Sequence, residues 1–158
     1  MEYELREHTA DVAVAATGET LESVFAAVAE GFVAASLESV PDGGERFSVS
    51  VTAESREALL FDYLDELVYL RDVRDELPVN HEVAAIDGPA SDPSSSEGGG
   101  GDEPNDVADD LDAWSLEATA RGVSLADVAA REVKAVTYSE MRLEPTDSGW
   151  EAYVVFDM

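Results

Sequence analysis

The chain has 158 residues, 45% of them hydrophobic, enough for one domain with a real core. Its 36 acidic residues outnumber 9 basic ones and leave a net charge of −27. No basic patch exists to release phosphate counterions, so tight direct binding of nucleic acid is disfavoured. Cysteine is absent, which removes disulfides, zinc–thiolate centres and cysteine nucleophiles. Self-repulsion destabilises so acidic a chain in dilute salt, but at molar salt the Debye length falls to roughly 3 Å. The acidity is therefore read as adaptation to a salty, halophilic cytoplasm, with an acidic nucleic-acid mimic as the rival. No run approaches roughly 18 apolar residues, and Met1-Glu2-Tyr3-Glu4 is no signal peptide. A cytoplasmic protein without a membrane partner is expected.

Tyr3 and Leu5 alternate with Glu2, Glu4 and Arg6 as a first strand. His8-Thr9-Ala10-Asp11 interrupts it, and Val12 to Ala16 resumes as a second strand ending at Gly18. The polar tetrapeptide is either a turn closed by Thr9 or Asp11, or a functional loop. Thr20 is placed to cap a helix running to about Ser36, with Leu21, Val24, Phe25, Val28, Phe32 and Val33 on one face. Pro41 to Gly44 is a turn, and Phe47, Val49 and Val51 alternate as a third strand. Ser55 caps a second helix to about Val73, whose apolar stripe is Leu59, Leu60, Tyr63, Leu64, Leu67 and Val68. Beside the stripe lie Asp62, Asp65 and Glu66, either a solvated face or an acidic docking surface.

A fourth strand is predicted over 79–86, with His81 in a structural role. Residues 88–110, rich in Gly, Ser, Pro and acids, have almost nothing to bury and read as a flexible insertion in a single domain spanning 1–158. Trp114, Leu116, Ala118 and Ala120 alternate as a fifth strand. A sixth runs from Glu132 through Leu143, and Asp147-Ser148-Gly149 turns the chain into a seventh, Trp150 to Asp157. This order predicts an α+β fold: a mostly antiparallel sheet, expected to be single, with two helices packed on one face.

Two constellations could carry chemistry. Asp157 and the carboxylate of Met158 close the chain on a strand, and Asp11 could face them. All are hard oxygen donors, suited to Ca²⁺, Mg²⁺ or Mn²⁺ rather than zinc. Lys134 is the sole lysine, and either contacts a phosphate, a carboxylate or a partner, or sits in a structural ion pair. Alternation places Lys134, Val136 and Tyr138 on one face, with the ammonium beside the ring. No nucleophile elbow, dinucleotide fingerprint or phosphate-binding loop occurs, so no catalytic residue is assigned. The residues lean towards an accessory or binding protein.

Tyr3-Glu4 before His8-Thr9-Ala10-Asp11, Gly18 to Glu22 before the first helix, Leu59 to Leu67, Glu132 to Tyr138 and the ending Phe156-Asp157-Met158 together resemble the archease family. The likeness covers the chain outside the insertion. It implies a non-enzymatic activator of an RtcB-type RNA ligase in tRNA splicing. That ligase carries GMP on a histidine and uses GTP and Mn²⁺; the activator promotes guanylylation and multiple turnover. The resemblance also implies an alternative, a calcium-binding chaperone or adapter for a tRNA methyltransferase. It implies a divalent cation, calcium foremost, on Asp11, Asp157 and a terminal oxygen of Met158, and a role for Lys134 in activation. Many members carry His after the motif tyrosine where this chain has Ser139, and the terminal residue, often Ile, is Met158.

Overall fold

A computed structural model describes residues 2–7, 11–37, 39–88 and 113–157 of the chain. Strand β1 (Glu2–Glu7) pairs antiparallel with β2 (Asp11–Gly18). Helix α1 (Leu21–Ser36) starts where Thr20 accepts the amide of Ser23 at 3.0 Å while Ser23 Oγ accepts the amide of Thr20 at 3.1 Å, a reciprocal capping box. After β3 (Arg46–Ala53), Ser55 caps α2 (Arg56–Arg74) by accepting the amide of Ala58 at 3.0 Å. The helix ends at Asp75, which is left-handed with φ 56°, a conformation Asp tolerates better than most side chains. The chain continues as β4 (Glu76–Asp87), β5 (Trp114–Ser124), a 3-10 turn at Leu125–Asp127, β6 (Ala135–Thr146) and β7 (Gly149–Asp157).

The α+β class and the antiparallel pairing are as expected, but the strands form two sheets rather than one. The first has the order β1-β2-β7-β6 and the second β3-β5-β4. The reason lies in α1. Its large residues Phe25, Val28 and Phe32 are buried, and so are Ala26, Ala27, Ala29, Gly31 and Ala35 on the remaining surface. A helix apolar almost all round must be covered all round. Accordingly α1 packs on β1, β2 and β7 of one sheet and on β4 of the other. Gly31 permits the approach to β2, since a Cβ there would stand 2.5 Å from Cγ1 of Val14. The second helix likewise touches both sheets, through β6 and through β3, β4 and β5.

The sixth strand begins at Ala135, not Glu132, so Lys134 closes an irregular segment rather than entering the ladder's alternation. Val136 is buried whereas Lys134 and Tyr138 are exposed, and the ring of Tyr138 packs on Phe61 of α2, 5.3 Å between centroids. The face expected to be shared by Lys134, Val136 and Tyr138 is therefore corrected, since Val136 alone of the three turns inward. A wide bulge follows: Thr137 opposes Val155 and Arg142 opposes Tyr153, so residues 138–141 stand against Val154 alone. The odd excess restores parity, letting Val136 and Leu143 both face the core.

Asp87 lies opposite Ser115, so the 88–113 connection joins the adjacent ends of two paired strands. An insertion there has no distance to span, and loop-closure cost grows only slowly with length. The predicted insertion lies, apart from Gly88, outside the described residues. Among the described residues, no helix is long and apolar enough to cross a membrane.

A bulge in β4 turns Asn80 left-handed (φ 54°) and sends His81 into the core. The amide of His81 donates to Oε2 of Glu30 at 2.6 Å. Nε2 lies 3.1 Å from the carbonyl of Pro78, which can only accept; Nε2 therefore carries the proton. Nδ1 has no partner among the described residues. Burial, opposed by the Pro78 carbonyl and helped by the Arg46 charge, lowers the imidazole pKa to about 4. Burial raises that of Glu30, partly offset by the His81 amide and by Arg121.

The signs of these two shifts oppose. A depressed histidine stabilises the fold above its unfolded value of 6.5, and that contribution is lost as pH falls towards 4. It amounts to about 3 kcal/mol. The raised Glu30 contributes fully below its unfolded value of 4.5 and less as pH rises. His81→Gln keeps a donor for Pro78 and removes the titration. The stability advantage of the native chain over this variant should shrink from about pH 7 to about pH 4.5 by that order of magnitude. Denaturant unfolding of both proteins in molar KCl measures it, and parallel curves would dismiss His81 as the source.

Candidate functional site

Three strands of the first sheet reach the same level at one edge. Asp11, the first residue of β2, stands directly opposite Asp157, the last of β7. On the other side of β7, Asp157 is opposite Ala135, the first residue of β6. The amide of Lys134 donates to the main-chain carbonyl of Asp157 at 2.7 Å, extending that ladder by one bond. Asp157 thus lies between the residue that opens β2 and the lysine that leads into β6. Its own side is half-buried, and Lys134 is exposed.

Residues from both ends of the chain meet here because hydrophobic pairing sets the register. Val12 lies opposite Phe156 and Val14 opposite Val154, and Val14, Val154 and Phe156 are fully buried. A slip of one residue would turn these side chains out of the core. With those pairs fixed, Asp11 and Asp157 are brought opposite one another without any choice of their own.

His8, Thr9, Ala10 and Met158 lie outside the described residues. Among the described residues, no group of three or more His, Asp or Glu side chains could hold a metal ion. Among them also, Lys134 makes no ion pair. The acidic residues Asp62, Asp65 and Glu66 lie on α2. Burial, and then the charge of Asp65, raises the pKa of the Asp62 carboxyl. Tyr69 and Val73 are exposed farther along that helix.

Sequence reasoning missed Arg71. Its guanidinium is buried and its Nη1 donates to the carbonyl of Val133 at 2.6 Å, next to Lys134. A signal was present, because Arg71 continues the spacing of Leu60, Leu64 and Leu67 on the apolar stripe of α2.

These features define a two-sheet α+β domain in which strand register sets two aspartates, Asp11 and Asp157, opposite one another next to the sole lysine of the chain. Solved structures share the architecture. The solution structure of protein 1598 from Methanobacterium thermoautotrophicum matches with a TM-score of 0.71 at 27% identity, covering 99% of this chain and 98% of that one. The crystal structure of an archease, described as a possible chaperone, from Thermotoga maritima matches at 0.57 with 19% identity over 97% and 94%, a likeness of fold alone. The model of the Archease protein family matches residues 3–158. Protein archease of Methanosarcina mazei is 34% identical, covering 99% of this chain and 95% of its own, and that of Thermococcus gammatolerans 33% over 99% and 98%. The chain belongs to the archease family.

Proposed function

We propose that this chain is a non-enzymatic accessory factor that activates an RtcB-type RNA ligase, promoting attachment of GMP to the ligase. The observation that carries this reading is the strand register that sets Asp11 opposite Asp157 and joins Lys134 to the same residue. Asp11, Asp157 and a main-chain oxygen of Met158 offer only hard oxygen donors, which fit a divalent cation, calcium foremost and magnesium or manganese next. Such an ion supplies positive charge for phosphate oxygens of GTP or for a carboxylate of the partner. The ammonium of Lys134 does the same as a compact point charge. Docking of this edge at the ligase active site places the ammonium of Lys134 where charge develops during attack on GTP, and an ion held by the two aspartates would add positive charge beside it.

Ligase–GMP formation from labelled GTP in molar KCl, with this protein at substoichiometric amounts, tests the reading. Labelled ligase should rise beyond one equivalent per added molecule. No rise would leave the edge as a structural feature and favour the second reading, a chaperone or adapter for a tRNA methyltransferase.

A further inference from the structure

Residues 128–134 belong to no helix or strand, yet the segment is tied at three points. The amide of Arg131 donates to the carbonyl of Ser36 at 2.8 Å, and the side chain of Val133 is fully buried. The third tie is double. The peptide joining Val133 to Lys134 is held at both polar ends: its carbonyl accepts Nη1 of Arg71 at 2.6 Å, and its N–H donates to the carbonyl of Asp157 at 2.7 Å. The C=O and N–H of a trans peptide point in opposite directions along nearly one axis, so holding both ends fixes that axis at the point where Lys134 leaves the backbone.

Arg71 is an expensive way to fill that place. It occupies a position on the α2 stripe where leucine would pack without desolvating a charge. Its charge is satisfied by Asp72, whose Oδ1 accepts Nε at 3.1 Å and Nη2 at 2.9 Å. Asp72 is largely exposed, so the carboxylate holds the fork from the solvent side while Nη1 points inward. The planar fork of an arginine can serve both partners at once in fixed directions.

We propose that Arg71 is the positioning residue for Lys134, orienting the peptide before it so that the lysine stands at a fixed place beside Asp157, with Asp72 orienting Arg71 in turn. For its effect on activation the proposal rests on the reading of Lys134 given above; the clamp itself does not. The full chain in molar KCl is examined by residue-resolved amide hydrogen exchange and by ligase–GMP formation. Arg71→Met keeps the stem and removes the fork. It should speed exchange of the Lys134 amide roughly tenfold while the amide of Val154 keeps its protection. Maximal activation at saturating protein should fall roughly tenfold. Asp72→Asn, a milder change on the exposed side, should move both readouts the same way by less, and serves if Arg71→Met fails to fold. Unchanged exchange at Lys134, or a rise equal to that at Val154, would overturn the clamp. If Lys134→Ala left activation intact, the functional reading would fall while the exchange result still decided the role of Arg71.

Discussion

Lys134→Ala should lower the single-turnover rate of ligase–GMP formation by about 100-fold while changing stability by no more than about 0.5 kcal/mol. The small stability effect follows from the exposure of Lys134, whose structural bond is made by its main-chain amide and survives the substitution. The large functional effect follows from the solvent. At molar salt the Debye length is roughly 3 Å, so only charges at contact distance act on a docked partner. No second lysine exists to take over. Lys134→Arg should recover part of the rate only, because a planar fork replaces a compact ammonium. A rate within twofold of the native protein for the alanine variant would remove Lys134 from the proposal.

Phe32→Ala should cost about 3–5 kcal/mol of folding stability. The ring of Phe32 is fully buried, with its centroid 5.6 Å from that of Phe156. Phe32 belongs to α1 and Phe156 to β7, so the pair joins the central helix to the strand that ends in Asp157. Neighbours on both sheets hold α1 in place and limit collapse into the vacated space, which puts the loss at the costly end for a core truncation. Against a typical total of about 5–15 kcal/mol this is at least about a fifth of the whole. Denaturant unfolding in molar KCl, where self-repulsion is screened, reads the difference. A loss below about 1 kcal/mol would mean that α1 settles into the cavity and that the Phe32–Phe156 contact is not what seats β7. Phe32→Leu, which leaves most of the volume, should lose well under half as much.

Much of the fold was legible because its signals are local. Thr20 and Ser55 marked both helix starts, and each makes the capping bond its position called for. Alternation located the strands because a residue's side is a matter of period alone. The bulge after Thr137 broke that rule, since an extra run of residues leaves no mark in the pattern until the partner strand is known. The predicted face shared by Lys134, Val136 and Tyr138 was lost because the strand begins only at Ala135, which leaves Lys134 outside its alternation.

Composition and local pattern by themselves determined the α+β class, the helix starts, the absence of thiol chemistry and the isolation of Lys134 in an acidic chain. Tertiary structure alone decided the division into two sheets, the bond from Arg71 to the Val133 carbonyl and the alignment of Asp11 with Asp157. Capping and period depend on neighbours a few positions apart. Register between the first and last strands of the site depends on burying Val14, Val154 and Phe156 against α1, and only the folded core imposes it.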